Sequence, residues 1–331
     1  MKILKSFFLV FLSLAFIAVG YYSYSILSFI NAISGSASSD SLSNNGDSTY
    51  IPPLWEKSER VNILLLGVDP RMLLRPNEKP RSDSIMIVSI DPKTKKAHIF
   101  SILRDTYVNI PDHGRERINS AISYGGPGTV MKTVSDFTGL PIQYYIYTDF
   151  EGFIALINAV GGIEIDVEKN MYYVDSADDH LYDIDLKKGI QRLDGKKALQ
   201  YVRFRHDALS DFARTERQRK FLSVVMAELQ STSSIIKLPK ILNAIDPYIK
   251  TNLDLTTMLR LGSLAFDIKS EGLITAQLPP LHLLKEEVIR GAQVITVKNV
   301  SLQQYMKQLL AGEIDTKGND VVLMSTTSET Q

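Results

Sequence analysis

Two sets of charged residues in this chain have a placement that chemistry can use. In the first, Asp69 ends the run RVNILLLGVD, Arg81 and Asp83 precede the apolar SIMIVSI, and Arg104 and Asp105 follow the apolar AHIFSIL. Two carboxylates at one place hold a hard divalent cation, magnesium above all, while neighbouring arginines hold its anionic ligand. In the second, Arg203, Arg205, Arg214 and Gln218 fall within the stretch from Asp194 to Leu229. Arginine grips phosphate through two parallel N–H groups, so several arginines aimed at one point form a phosphate clamp. A plainer reading stands beside each. The arginines of the second set can pair with Asp207, Asp211 or Glu216, Asp69-Pro70 can be a turn, Asp83 the first residue of a strand, and Arg104 a solvated strand end.

The elements that carry these residues decide which reading holds. Val61 to Val68 is a continuous apolar run, as in a strand buried on both faces. Further strands are expected from Ser84 to Ile90 and from Ala97 to Leu103, joined through Asp91-Pro92-Lys93-Thr94 with proline at its favoured turn position. An antiparallel meander of the three gathers Asp69, Arg81, Asp83, Arg104 and Asp105 at one sheet edge. Ala198 to Arg205 alternates as a strand does, with Tyr201, Arg203 and Arg205 on one face and Val202 and Phe204 on the other. Ser210 or Asp211 then caps a helix to Leu229. Its apolar stripe is Phe221, Leu222, Val225 and Leu229; Arg214 and Gln218 continue that stripe, and Glu216, Lys220 and Ser223 face water. An inward arginine is costly unless an anion lies opposite it.

Between these sets, Arg115, Arg117 and Asn119 lead into a helix expected over Ile118–Tyr124, which Gly125-Gly126-Pro127-Gly128 ends. No Lys-Ser/Thr follows those glycines, so they form a turn and not a phosphate-binding P-loop. Helices are expected at Gly128–Thr138, Phe150–Val160, Ile235–Ile245, Leu255–Phe266 and Leu302–Leu310. Strands are expected at Tyr144–Tyr147, Ile163–Val167, Leu273–Leu278 and Val294–Val297. Strands and helices alternate after an antiparallel start. The expected fold class is therefore α/β (mixed α+β), with a central mixed, partly antiparallel sheet covered by helices, preceded by one N-terminal transmembrane helix.

That first helix rests on Ser6 to Ile33, which carries no charge and is long enough to cross a bilayer. Lys2 and Lys5 precede it and Asp40 is the first charge after it, which places the N-terminus in the cytoplasm and the bulk of the chain outside. The run exceeds the apolar core of a cleaved signal peptide, favouring an uncleaved anchor. The chain then divides into a stub and anchor (1–33), a Ser/Asn/Gly-rich flexible linker (34–58), an outer catalytic domain (59–311) and a polar tail (312–331). Lys and Arg together number 37, as do Asp and Glu, so no overall basic field exists to hold nucleic acid. With no cysteine, disulfides, thiolate catalysis and Cys-ligated metals are excluded. The five histidines (His98, His113, His180, His206, His282) show no metal spacing and read as structural or surface residues.

Taken in order, GVDPR, RSDSIMIVSIDP, SILRDTYVNIP, RINSAISYGG, DFEGFIALINAVGGIEIDV and LDGKKALQYVRFRHDALSDFARTERQRKF resemble the LytR-CpsA-Psr family, closely over Arg60 to Leu229 and more loosely beyond. The resemblance implies a membrane-anchored phosphotransferase on the outer face of the cytoplasmic membrane, chiefly in Gram-positive bacteria. Such an enzyme moves a teichoic acid or capsule glycopolymer from a polyprenyl-pyrophosphate carrier to peptidoglycan through a phosphodiester. It implies Asp69 and Asp83 as a pair associated with magnesium (or manganese), with Arg104 and Arg203 among the catalytic residues. Arg81, Arg104, Arg203, Arg205, Arg214 and Gln218 would contact the pyrophosphate, with Arg117, Asn119 and Asp211 in the same site. Arg117 stands where the family more often has lysine, and Ala213 where it often has glycine. A non-catalytic polyprenyl-phosphate-binding regulator and a lipid-carrier pyrophosphatase are the competing readings. A DNA-binding regulator is weakest, with about five residues expected in the cytoplasm. The polyprenyl chain needs an apolar groove, expected between Phe153–Val160 and Phe221–Leu229.

Overall fold

The structure, a computed structural model, describes residues 20–29, 50–56, 58–69, 80–174, 180–205, 210–268 and 272–314. Helix α1 covers residues 20–29. Strands β1 (Val61–Val68), β2 (Ser82–Asp91) and β3 (Lys96–Ile102) follow. A hairpin of β4 (Tyr107–Ile110) and β5 (Gly114–Arg117) leads through a 3-10 turn to α2 (Ile122–Thr138), β6 (Tyr144–Thr148) and α3 (Phe150–Val160). Short strands β7 (Ile163–Val167), β8 (Met171–Tyr173), β9 (Ile184–Leu186) and β10 (Gly189–Leu193) precede α4 (Gly195–Arg203), α5 (Ser210–Leu229) and α6 (Thr232–Ile245). Then come β11 (Lys250–Thr251), α7 (Leu255–Asp267), β12 (Leu273–Leu278), the hairpin β13 (Lys285–Ile289) and β14 (Ala292–Thr296), and α8 (Asn299–Ala311).

The expected meander forms: β2 pairs antiparallel with both β1 and β3. β6 joins β1 in parallel, β12 joins β3 in parallel, and the six-stranded order is β11-β6-β1-β2-β3-β12. So β1, β3, β6 and β12 point one way, and their C-terminal ends share an edge with the start of β2. Alternation along the strands builds two cores. Leu64, Leu66, Ile85, Ile87 and Phe100 pack against α2 and α8, while Ile63, Val88 and Ile90 pack with Leu261 of α7. Burying each such Leu or Ile contributes about 1.5–3 kcal/mol. A third apolar cluster joins α3, α4, α5 and α6 with β7, β8 and β9.

Two expectations are corrected. Ala198–Arg205 is not a strand; it lies largely in α4. The Asp194 carboxylate accepts the Lys197 N–H at 2.9 Å as an N-cap, and buried Ala198, Leu199, Tyr201 and Val202 fall at helical spacing. Arg203 and Arg205 therefore do not share a strand face. Arg115 and Arg117 lie in β5, and the expected helix at Ile118 is a 3-10 turn over Ile118–Ser120. The glycine turn forms as expected: Gly125 and Gly126 leave helical geometry, Gly126 at φ 65°, and Pro127 restarts the helix that runs on to Thr138.

No helix among the described residues is long and apolar enough to cross a membrane. Apart from residues 20–29 the expected span Ser6–Ile33 lies outside the described residues, as does most of the linker and of the tail. The described turns of α1 rest on α6: the Tyr22 hydroxyl donates to the Ile236 carbonyl, and Phe29 is buried in the third cluster.

Candidate active site

The shared strand edge brings the two charged sets together. A bulge at Gly67/Val68 ends the β1–β2 ladder, with Asp69 just beyond β1 and Asp83 at the start of β2. Arg104 leaves β3, and its Nη1 lies 2.5 Å from Asp83 Oδ1. Its Nε lies 3.5 Å from Asp105 Oδ2 and 3.8 Å from Asp211 Oδ1, in the first turn of α5. Arg117, at the end of β5, binds Asp105 at 3.1 Å. Arg214, one turn into α5, binds Asp211 Oδ1 at 2.7 Å. Arg205, after α4, places Nη2 3.7 Å from Asp211 and 3.9 Å from Asp83. Four arginines thus face three aspartates in one network, and its fixed charge is positive.

The pairing is incomplete. Arg104 Nε, Arg214 Nε, Asp211 Oδ2, Asn119 Oδ1 and Ser82 Oγ are buried with no hydrogen-bond partner among the described residues. Arg214 and Asn119 are each 3% exposed. Buried polar atoms are seldom left this way unless something else occupies the site. Electrostatics follow the same geometry. Burial pushes the Asp211 carboxyl up against the pull of Arg205 and Arg104. Burial pushes Arg205 down, with the Arg104 charge adding to it. For Arg104 burial acts downward too, but Asp83, Asp105 and Asp211 outweigh it and raise its pKa.

The remaining predicted residues fall in several places. Asn119 lies against Arg104, donating its backbone N–H to the Arg104 carbonyl at 3.2 Å. Arg203 ends α4 and lies in the slot at the corner where two rings meet edge to face at 5.4 Å, with Cζ 5.1 Å from the centre of Phe150 and 4.8 Å from that of Tyr182. It also donates to the Tyr182 carbonyl at 3.3 Å. Beyond this slot Phe153 of α3 and Phe221 of α5 meet at 5.6 Å, where the apolar groove was expected. Gln218 accepts from Ser84 Oγ at 3.4 Å and donates to the Val202 carbonyl at 3.3 Å, tying α5 to β2 and α4. Arg81 is exposed just before β2, and Asp69 is 5% exposed. The plainer reading holds in part, since Arg214 does pair with Asp211.

Sequence reasoning missed Arg217 and Arg219, which are 4% and 5% exposed. Arg219 donates to Ser101 Oγ, and Arg217 Nε lies 3.6 Å from Glu168 Oε1. The signal was present in the arginine spacing of α5, whose first half turns arginine inward while Phe221 and Val225 bury its second half. Nothing local marks the slot made by Phe150 and Tyr182.

A mixed sheet under helices, with arginines and aspartates interleaved at its strand ends and buried donors left over, defines an α/β domain with an anion-suited edge. The comparisons carry this further. The LytR_cpsA_psr family pattern matches residues 24–311, and the chain belongs to that family. It is 35% identical over 231 residues to the regulatory protein MsrR of Staphylococcus aureus (strain COL), covering 69% of this chain and 67% of that protein. It is 34% identical over 265 residues to polyisoprenyl-teichoic acid–peptidoglycan teichoic acid transferase TagV of Bacillus subtilis (strain 168), covering 78% of this chain and 66% of that protein. The crystal structure of B. subtilis TagV superposes with a TM-score of 0.64 at 29% identity, covering 77% of this chain and 97% of that one. YwtF (TagT) with bound octaprenyl pyrophosphate lipid superposes at 0.59 and 27% identity, covering 80% and 96%.

Proposed function

We propose that this protein is a membrane-anchored phosphotransferase that moves an anionic glycopolymer of teichoic acid or capsule type from a polyprenyl-pyrophosphate carrier to peptidoglycan through a phosphodiester. The observation that carries the reading is the positive Arg104–Arg117–Arg205–Arg214 cluster, with buried N–H groups left over, beside the Phe150–Tyr182 slot. A diphosphate has the charge for the first, and the partly buried Phe150, Phe153 and Leu156 of α3 beside the second offer a polyprenyl chain an apolar surface. The names of TagV and the lipid bound to TagT support the same chemistry.

In this reaction the acceptor hydroxyl, in our reading the C6 hydroxyl of a muramic acid residue, attacks the sugar-side phosphorus. A new P–O bond forms, the P–O bond to polyprenyl phosphate breaks, and that phosphate leaves with the electron pair. Asp83 or Asp69 accepts the hydroxyl proton. Arg104, Arg205 and Arg214 neutralise the charge on the transferring group, and Arg203 holds the lipid-side phosphate at the mouth of the apolar slot. Rate comes mainly from positioning and charge stabilisation. Among the described residues no group of three or more metal-ligating side chains exists. The oxygen pair Asp69 and Asp83 still suits magnesium, or manganese, which takes one or two carboxylates and fills its shell with water and phosphate oxygens. Bound there, the ion would neutralise phosphate charge. Ser6–Ile33 anchors the protein in the cytoplasmic membrane in a single pass, with the domain outside and no nucleic acid as partner.

The test incubates purified protein with magnesium, a defined lipid-linked glycan and nascent peptidoglycan, and looks for a phosphodiester adduct. Phosphate release without acceptor would instead mark a pyrophosphatase. The regulatory name of the staphylococcal relatives favours one alternative, a binder without catalysis. It requires lipid binding that survives Asp69→Asn and Asp83→Asn with no adduct formed by the wild type.

A further inference from the structure

Between Arg203 and Arg205 lies Phe204, a side chain the chemistry above does not use. It is 3% exposed. It closes α4 with φ −58° and ψ 131°, and its N–H still reaches the Gln200 carbonyl. Its ring is covered by two cations: Arg217 Cζ lies 5.3 Å from the ring centre and Lys169 Nζ 5.9 Å from it. Arg217 in turn lies 3.6 Å from Glu168 Oε1, and Tyr201 donates to Glu168 Oε2 at 3.3 Å. One residue further along α5, Gln218 holds the Val202 carbonyl. Tyr201, Val202 and Phe204 are therefore each gripped from outside α4, and these are the residues that bracket the two arginines.

Burying a guanidinium to 4% exposure beside a Glu168 side chain that is 43% exposed is a poor way to gain stability. A planar cation laid on an aromatic face fixes position well, and lysine does not reproduce that geometry. We propose that Arg217, braced by Glu168, is a positioning residue that clamps Phe204 and so sets the separation of Arg203 and Arg205. One arginine is thereby held in the Phe150–Tyr182 slot and the other in the aspartate cluster, and the two reach a diphosphate from two sides. The inference rests on the proposed polyprenyl-pyrophosphate chemistry and names what presets its arginines. A displacement of about 1 Å at such a distance from the reacting atoms costs up to about 10²-fold in rate.

The test uses the full-length protein with Arg217→Lys, Phe204→Leu, the double variant and Glu168→Gln. Binding of farnesyl pyrophosphate is measured by calorimetry, and kcat and KM for a lipid-linked donor are measured beside melting temperature. Arg217→Lys and Phe204→Leu should each weaken binding and raise KM about tenfold with melting near wild type, and the double variant should be no worse than either, as for residues acting as one unit. Glu168→Gln, at a half-exposed position, should shift KM in the same direction and carries the test if Arg217→Lys does not accumulate. Unchanged KM and binding in the single variants, or effects that multiply in the double, would overturn the clamp. Failure of the wild type itself to bind the pyrophosphate probe would instead sink the proposed function.

Discussion

Arg104→Ala is the most direct test of the charged edge, because this one guanidinium faces Asp83, Asp105 and Asp211 at 2.5, 3.5 and 3.8 Å. A unit charge about 4 Å from a phosphate oxygen is worth about 4 kcal/mol at an effective dielectric near 20. Solvent at the mouth screens part of this, and the loss of one oxyanion-type donor elsewhere costs about 2.7–4 kcal/mol, or 10²–10³ in rate. The stability cost is smaller, since side chains that are 20–26% exposed are neither surface nor fully buried. It should be roughly 1–2 kcal/mol, between the surface and buried limits, so the variant melts several degrees lower and is folded at room temperature. The assay follows transfer of labelled glycan from a lipid-linked donor to peptidoglycan, with melting measured on the same samples. There is also a pH signature. Burial holds the Asp211 carboxyl above its unfolded value and Arg104 opposes that rise. An acid raised in this way destabilises the fold above its folded pKa, and the penalty is relieved as pH falls toward the unfolded value. The stability deficit of Arg104→Ala should therefore be largest at neutral pH and shrink on acidification. Near-normal transfer by the variant, or a deficit that grows as pH falls, would refute the reasoning.

Three further outcomes are expected. Chelation should abolish transfer and added magnesium restore it, and Asp69→Asn and Asp83→Asn should each raise the magnesium needed for half-maximal rate about tenfold or more, a change of at least about 1.4 kcal/mol in binding; transfer that ignores chelation ends the metal assignment. His98 is buried, and burial together with Arg60 and Lys96 pushes its imidazole down to about 4. Its neutral form stabilises the fold fully above the unfolded value near 6.5, and about 3 kcal/mol is lost as pH falls through about 4; His98→Gln should flatten that acid limb in urea titrations, and an unchanged limb speaks against it. At Gly195 an added Cβ would sit 2.4 Å from the Ile154 carbonyl oxygen, so Gly195→Ala should cost roughly 1–3 kcal/mol by forcing α4 away from α3. The shift would move Arg203 as well, so urea midpoint and donor KM should change together; an unchanged midpoint contradicts the close packing.

How much of this was legible in the sequence depends on where each piece of information lies. The meander was readable because Val61–Val68 and its neighbours are largely apolar runs of strand length, the second and third joined by an Asp-Pro turn. Once the meander was drawn, convergence of Asp83, Arg104 and Asp105 at one edge followed from geometry. α4 was not readable by the same logic. It is nine residues long, and across its C-terminal end Val202, Arg203, Phe204 and Arg205 alternate apolar with arginine, so a period of two imitates a strand over the very residues that matter. The slot around Arg203 is built by Phe150 and Tyr182, far away in the chain, and no local pattern announces it. α5 shows the conflict most plainly. The helix was recognisable by its cap and by Phe221, Leu222, Val225 and Leu229, but its first half turns Arg214, Arg217 and Arg219 inward where apolar residues would be expected. It does so because the residues that bind an anion, and those that hold the binders in place, must face the interior together. Departure from pattern in a helix otherwise well formed is thus itself a marker of the site, as expected where function overrides local consistency.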